Sequence, residues 1–332
     1  MSYKLQVGEI KTTYMSDKDI WGHFNYIFSA KSKNSTTYKF VLMKSLIENL
    51  YNANGKLELH YDTIFYSFAK IYWNLVIHHG LNQINMVYKK AEVQTVLIGF
   101  QEKYQIPSSL VFDRLSEEIQ VSIVKKVKQK CKINVMGAIY GDTQGTIYDF
   151  DNKSEIIRFN PSFYSFFQRY QRVLKYLSNY HLAVFLEKFN NAGDTQTLLT
   201  KVENVSKRSS LDSFYQILSS FFDGTCFYCE REIRKKEQLH VDHFIPWSFV
   251  QSDQLWNLVI SCATCNLLKS DKLADKNYLE MLIDRNGVLV SNNAINNRVD
   301  MKYYTFDKLN QLYSYSYENG YTDIWVPKRK FG

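Results

Sequence analysis

Apolar residues recur at helical spacing through most of the first two-thirds of the chain. Leu42, Met43, Leu46, Ile47 and Leu50 follow a Ser35-Thr36-Thr37 start signal and predict a helix. Tyr66 to His78 (YSFAKIYWNLVIH) predicts a second, apolar enough for a core, and Ala91 to Tyr104 a third. Leu115, Ile119, Ile123, Val124 and Val127 mark a fourth after Pro107-Ser108-Ser109. The period then shortens. Gly141 to Phe159 alternates around Asp151-Asn152, which predicts a β-hairpin. Pro161 opens another helix, with Val173, Leu174, Leu177, His181, Val184 and Phe185 on one face, and Asn190 to Thr195 (NNAGDT) breaks it. A further helical stretch runs to about Phe222. Past a cysteine-bearing segment, Asp275 to Arg285 reads as a helix stopped by Asn286-Gly287, and Asp307 to Tyr317 as the last helix.

These elements predict a mainly α fold with a small α+β module. The expected organisation is a helical domain over 1–210 that positions substrate or a partner, a module over 211–290, and a helical extension over 291–332. With 13 Gly and 4 Pro in 332 residues, the composition argues against a turn-rich all-β protein. An aromatic content of 16% supplies a sizeable core and excludes general disorder. No apolar run approaches the roughly 18 residues of a membrane helix. The opening MSYKLQVGEI lacks a signal-peptide core, so a soluble, cytoplasmic protein is expected.

Charge adds a partner class. Lys and Arg number 41 against 33 acids, a net of +8, which permits a polyanionic partner. Between Cys226 and Leu273 six basic and six acidic residues cancel, so the excess lies elsewhere. Lys125, Lys126, Lys128, Lys130 and Lys132 form a run without an acid, and Lys328-Arg329-Lys330 lies near the end. Either stretch offers phosphate neutralisation or a solvated surface.

The sharpest chemistry is in the cysteines. Cys226-x-x-Cys229 and Cys262-x-x-Cys265 are separated by 32 residues. Two such pairs present four thiolates to one tetrahedral Zn²⁺, a closed site and hence a structural one. The segment between them is different. Asp242-His243 precedes Phe244-Ile245-Pro246; Asn257 precedes Leu258-Val259-Ile260; Asn266 follows the last cysteine, with Lys269 three residues on. Asp and Asn oxygens are hard ligands suited to Mg²⁺ or Mn²⁺. Histidine is a base that titrates near neutrality. Together they point to phosphodiester hydrolysis. Adjacent strand residues face opposite sides, so Asp242 and His243 can serve one centre only at a strand end.

The segment VDHFIPWSF…NLVISCATCNLLKSD resembles an HNH endonuclease of the ββα-metal (His-Me finger) superfamily, in the variants with two zinc knuckles. It is also similar to the HNH domain of RNA-guided CRISPR nucleases, which lack the cysteines. The resemblance spans about 48 residues, roughly a seventh of the chain. It implies His243 as general base, Asp242 as a metal ligand and Asn266 as the second. It implies Asn257 as the residue that pins the loop, and Lys269 as a helix residue within reach of a phosphate oxygen. One divalent ion, 5′-phosphate and 3′-hydroxyl products are implied with them. The family name leads to His at the first and last positions, where this chain has Asp242 and Asn266, and that favours Mg²⁺.

Residues 36–52 (TTYKFVLMKSLIENLYN) look similar to the opening helix of bacterial stand-alone HNH proteins, several of them in anti-phage systems. The expectation is therefore a DNA endonuclease of defence or restriction, with RNA an open alternative. A nucleic-acid-binding or assembly subunit that uses the HNH fold as scaffold is the rival. No Walker A motif is present, so an ATPase or sensor would be a separate chain. A homodimer or two successive nicks would cut both strands.

Overall fold

The computed structural model describes residues 5–327 apart from 13, 30, 33, 87, 192, 205–210, 223, 234–237, 251–252, 299 and 302–303. Lys328-Arg329-Lys330 lie outside the described residues. The fold is mainly α with small sheets, and it divides into two compact units, Met1–Lys207 and Arg208–Gly332. No helix among the described residues is long and apolar enough to cross a membrane.

The first unit runs β1 (Val7–Gly8), α1 (Asp17–Phe28), α2 (Tyr38–Glu48), β2 (Glu58–His60), α3 (Tyr61–Trp73), α4 (Glu92–Lys103), α5 (Glu117–Asp142), β3 (Tyr148–Asp151), β4 (Ile156–Phe159), α6 (Pro161–Glu187) and α7 (Thr195–Asn204). α3 continues into a π-helical turn, Asn74–His78. The expected start signal Ser35-Thr36-Thr37 precedes α2, but Thr37 does not cap it by side chain; its hydroxyl bonds Tyr72 and Gln83 instead. Ser16 and Asp19 form a capping box, Ser116 caps α5, and Asn160 caps α6 with Pro161 in the first turn. α2 is buried on all sides from Lys39 to Ile47, between α3, α5 and α6. Its two lysines are buried with it and are paired. Lys39 meets Asp142 at 2.6 Å; Lys44 meets Glu48 at 3.1 Å and donates to Asn179 Oδ1 at 2.6 Å. Lys175 of α6 shares Glu48 at 3.3 Å. The expected hairpin is β3–β4, with Phe150 opposite Ile157, inside an antiparallel sheet ordered β1-β3-β4-β2.

The acid-free lysine run of α5 is not an open cationic stripe. Lys128 pairs with Asp62 of α3 and Glu155 of the β3–β4 turn, Lys132 pairs with the same Glu155, and Lys130 lies 3.7 Å from Glu92. Three of its five charges are therefore met by acids distant in sequence.

The second unit runs α8 (Asp212–Phe221), β5 (Leu239–His243), α9 (Trp247–Val250), β6 (Leu258–Cys262), α10 (Ala263–Lys269), β7 (Leu273–Ala274), α11 (Lys276–Ser291), α12 (Asn293–Asn296), α13 (Phe306–Glu318) and β8 (Ile324–Trp325). β5 and β6 are antiparallel, with Asp242 opposite Val259 and His243 opposite Leu258. α10 follows β6 without a loop, giving a ββα arrangement, and packs on both strands. β7 and β8 pair in parallel, which ties residues 324–325 to the end of this arrangement. α11 does not stop at Asn286-Gly287 as the sequence suggested. It passes through them to Ser291, because Asn286 is fully buried and donates to the Trp256 carbonyl (2.8 Å) and the Tyr304 hydroxyl (3.1 Å).

Candidate nuclease site and its cysteine centre

The first cysteine pair sits in a tight hairpin. Cys226 N–H donates to Arg231 O (2.9 Å), Glu230 N–H to Cys226 O (2.8 Å), and Ile233 N–H to Gly224 O (2.7 Å). Glu230 takes a left-handed φ of 59° to close the turn. The second pair begins at Cys262, which ends β6 and caps α10 by accepting from Cys265 N–H at 3.4 Å. Phe227 N–H donates to Ile260 O (2.9 Å) and so fixes the first knuckle to β6.

All four sulfurs lie within 4.8 Å of one another, and Cys229 and Cys262 Sγ are 3.9 Å apart. A Zn–S bond of ≈ 2.3 Å in a regular tetrahedron sets sulfurs about 3.8 Å apart, so the donor set fits zinc. Burial pushes the Cys226 thiol up to about 11 and Cys265 also upward, whereas at Cys262 burial is outweighed by hydrogen bonds, first from the Cys265 backbone, which hold it below the ordinary thiol range. A cluster with one thiol favoured as thiolate and others held protonated is completed by a bound cation, which favours the thiolate form of all its ligands. The four positions leave no open ligand place, which makes the centre structural.

The second centre lies at the end of β5. His243 is its last residue and is buried; its Nε2 is 2.8 Å from Asp253 Oδ1, whose side chain is 11% exposed. An ionised carboxylate only accepts, so the hydrogen bond places the ring proton on Nε2. Asp242, also buried, uses one oxygen twice. Oδ2 accepts from the Tyr228 hydroxyl at 2.7 Å and lies 3.2 Å from Lys269 Nζ. Burial, and then the charge of Asp242, holds the Tyr228 phenol well above its ordinary range, so it stays a donor. The side chains of Asp242 and His243 thus have separate partners, as alternation along a strand requires.

Lys269 joins the two residues through the backbone. It is fully buried, and its Nζ donates to His243 O at 2.6 Å as well as facing Asp242. The sequence placed it on the helix one turn past Asn266, within reach of phosphate; in the fold it is turned inward. Asn257 is fully buried. Its Oδ1 accepts from Ile245 N–H and its Nδ2 donates to Ile245 O, both at 2.9 Å, while its backbone O accepts from Phe244 N–H at 2.8 Å. Those three bonds hold the chain immediately after His243. Asn266 is the fourth residue of α10 and half-buried, and among the described residues its side chain makes no hydrogen bond.

Sequence reasoning missed Tyr228 and Asp253. Tyr228 stands inside the first knuckle, and packing edge-on to Trp325 (5.1 Å) and Tyr278 (5.8 Å) aims its hydroxyl at Asp242. The signal available for Asp253 was its being an acid ten residues after His243, on the connection between the two strands.

A hard cation here would draw on Asp242 and Asn266. Asp242 Oδ1 and the Asn266 amide oxygen are the donors left over from the internal bonding.

Residues 226–274 match the family model described as HNH endonuclease. The chain thus carries an HNH module with two C-x-x-C knuckles, the module of a metal-dependent nuclease. No curated protein and no solved structure matches the chain.

Proposed function

We propose that this HNH module hydrolyses phosphodiester bonds in DNA, with His243 as general base and Asp242 and Asn266 holding one Mg²⁺ or Mn²⁺. The observation that carries the reading is the β5–β6–α10 unit. It places Asp242 and His243 at one strand end, Asn257 on the following loop and Asn266 on the helix, within the stretch that matches the family. The ion supplies Lewis-acid polarisation of the phosphate and charge neutralisation at the departing 3′ oxygen. Asp253 fixes the His243 tautomer, so Nδ1 takes the proton of the attacking water. Asn257 keeps the backbone after His243 in place, and Lys269 and Tyr228 orient Asp242. The proposed setting is bacterial anti-phage defence or restriction, resting on the likeness of residues 36–52 and the net charge of +8. Cleavage of both strands takes a homodimer or two nicks, and a separate ATPase or sensor chain is the proposed trigger.

Nicking of supercoiled plasmid by the zinc-loaded protein tests the reading. Nicking should require Mg²⁺ or Mn²⁺ and fall by about 10²–10⁴ in His243→Ala. Asp253→Asn should lose about 10–100-fold in kcat with KM unchanged, since the carboxylate acts only through the ring. Metal-dependent cleavage of structured RNA with intact plasmid would move the substrate to RNA. Wild-type turnover in His243→Ala would remove the base assignment.

A further inference from the structure

The C-terminal unit contains a hollow that the nuclease chemistry does not use. It lies between α8, the first knuckle, β6 and α11, has a volume of about 210 Å³ and opens to solvent. Leu218, Phe222, Phe227, Val259 and Met281 give it apolar walls, and among the described residues Arg285 is its basic lining residue.

Arg285 contrasts with Lys39, Lys44 and Lys269, buried cations with carboxylates at 3.2 Å or less. Arg285 Nε and Nη2 are buried with no hydrogen-bond partner. The guanidinium's electrostatic neighbours are the phenols of Tyr304 and Tyr228, and its Cζ sits 5.6 Å from the Phe222 ring. Burial pulls its pKa down to about 9. A guanidinium edge cut off from water and given no acceptor is costly, and one aromatic face offsets only part of that cost.

The hollow's chemistry selects the missing partner. Nε and Nη2 form one edge of the guanidinium fork, spaced for the two oxygens of a carboxylate. Glu230, which also borders the hollow, opposes a second negative charge. The apolar walls call for an apolar body behind the anionic head. We propose that this hollow binds a carboxylate carried on a small apolar body, with its oxygens on Arg285. A free organic acid and the C-terminal residue of a partner chain share that chemistry.

Calorimetric titration of the zinc-loaded full chain tests the proposal. Phenylacetate is the anionic probe and 2-phenylethanol its neutral counterpart. Phenylacetate should bind saturably, phenylethanol at least about tenfold more weakly, and Arg285→Met should lose the difference. The tripeptide Ala-Ala-Phe with a free carboxylate, set against its amide, separates the two sources. Tighter binding than phenylacetate assigns the site to a chain terminus, and weaker binding assigns it to a free acid. Equal affinity for acid and alcohol, acid binding retained in Arg285→Met, tighter binding of phenyl phosphate, or no saturable binding would each overturn the proposal. Thermal melting without any probe gives a check independent of ligand choice. Arg285→Met should melt no lower than wild type, because no internal acceptor is lost. A clear drop would mean that Arg285 is already satisfied inside the protein, and the proposal would fail.

Discussion

Lys269 illustrates how a single side chain changes meaning between sequence and fold. Helical phase places it one turn from Asn266 but does not say which way it faces. In the fold it is an interior cation between Asp242 Oδ2 and the His243 carbonyl. Removing one member of a buried pair leaves the other charge uncompensated, so Lys269→Met should cost about 3–5 kcal/mol. Denaturant unfolding of the zinc-loaded protein measures it, and a loss under about 1 kcal/mol would mean that water already serves Asp242. Asp242, His243, Asn257 and Asn266 could be picked out from residue type and order alone. Their partners could not. Tyr228 reaches Asp242 from fourteen positions away because aromatic packing aims it, and no spacing rule encodes that.

Among helices and strands, the legible ones are those whose apolar pattern has a single solution. The helical spacing of Leu42, Met43, Leu46 and Ile47 gave α2, and those residues are all buried in it. α11 was misjudged at its end because Asn-Gly is a local stop signal. A glycine in a helix costs about 1 kcal/mol, and the two buried hydrogen bonds of Asn286 outweigh it. The lysines of α5 misled for the opposite reason. Their acids, Asp62 and Glu155, are brought to them only by the fold. Cys262 ends β6, caps α10 and belongs to the sulfur cluster, so strand, helix and metal depend on one residue. Cys229→Ser should therefore lower zinc content and melting temperature together, and a chelator should reproduce the shift in wild type. Unchanged melting after complete zinc removal would count against the structural role.

For the chain as a whole, buried lysines impose a dependence on pH. Burial lowers Lys175 to about 8 and Lys308 to about 7. In the unfolded chain both titrate near 10.5, so between the two values the unfolded state binds more protons. The penalty is fully present below about pH 7 and is relieved as pH rises toward 10, so stability should climb across that window. Lys175→Met leaves Glu48 paired with Lys44. The variant should gain about 1–3 kcal/mol at pH 7 and show a shallower climb in urea titrations at pH 7 and 9.5. Identical climbs in variant and wild type would place the effect elsewhere.

The parallel pairing of β7 with β8 brings Trp325 against Tyr228, whose hydroxyl holds Asp242. Synthesis runs from the first residue to the last, so the strand bearing Asp242 and His243 leaves the ribosome some eighty residues before the tryptophan that props its neighbour. A nascent chain, or one cut short by a premature stop codon, carries the reactive pair without the brace that aims it. Tyr228 gains its edge-on contact with Trp325 only once translation has passed residue 325.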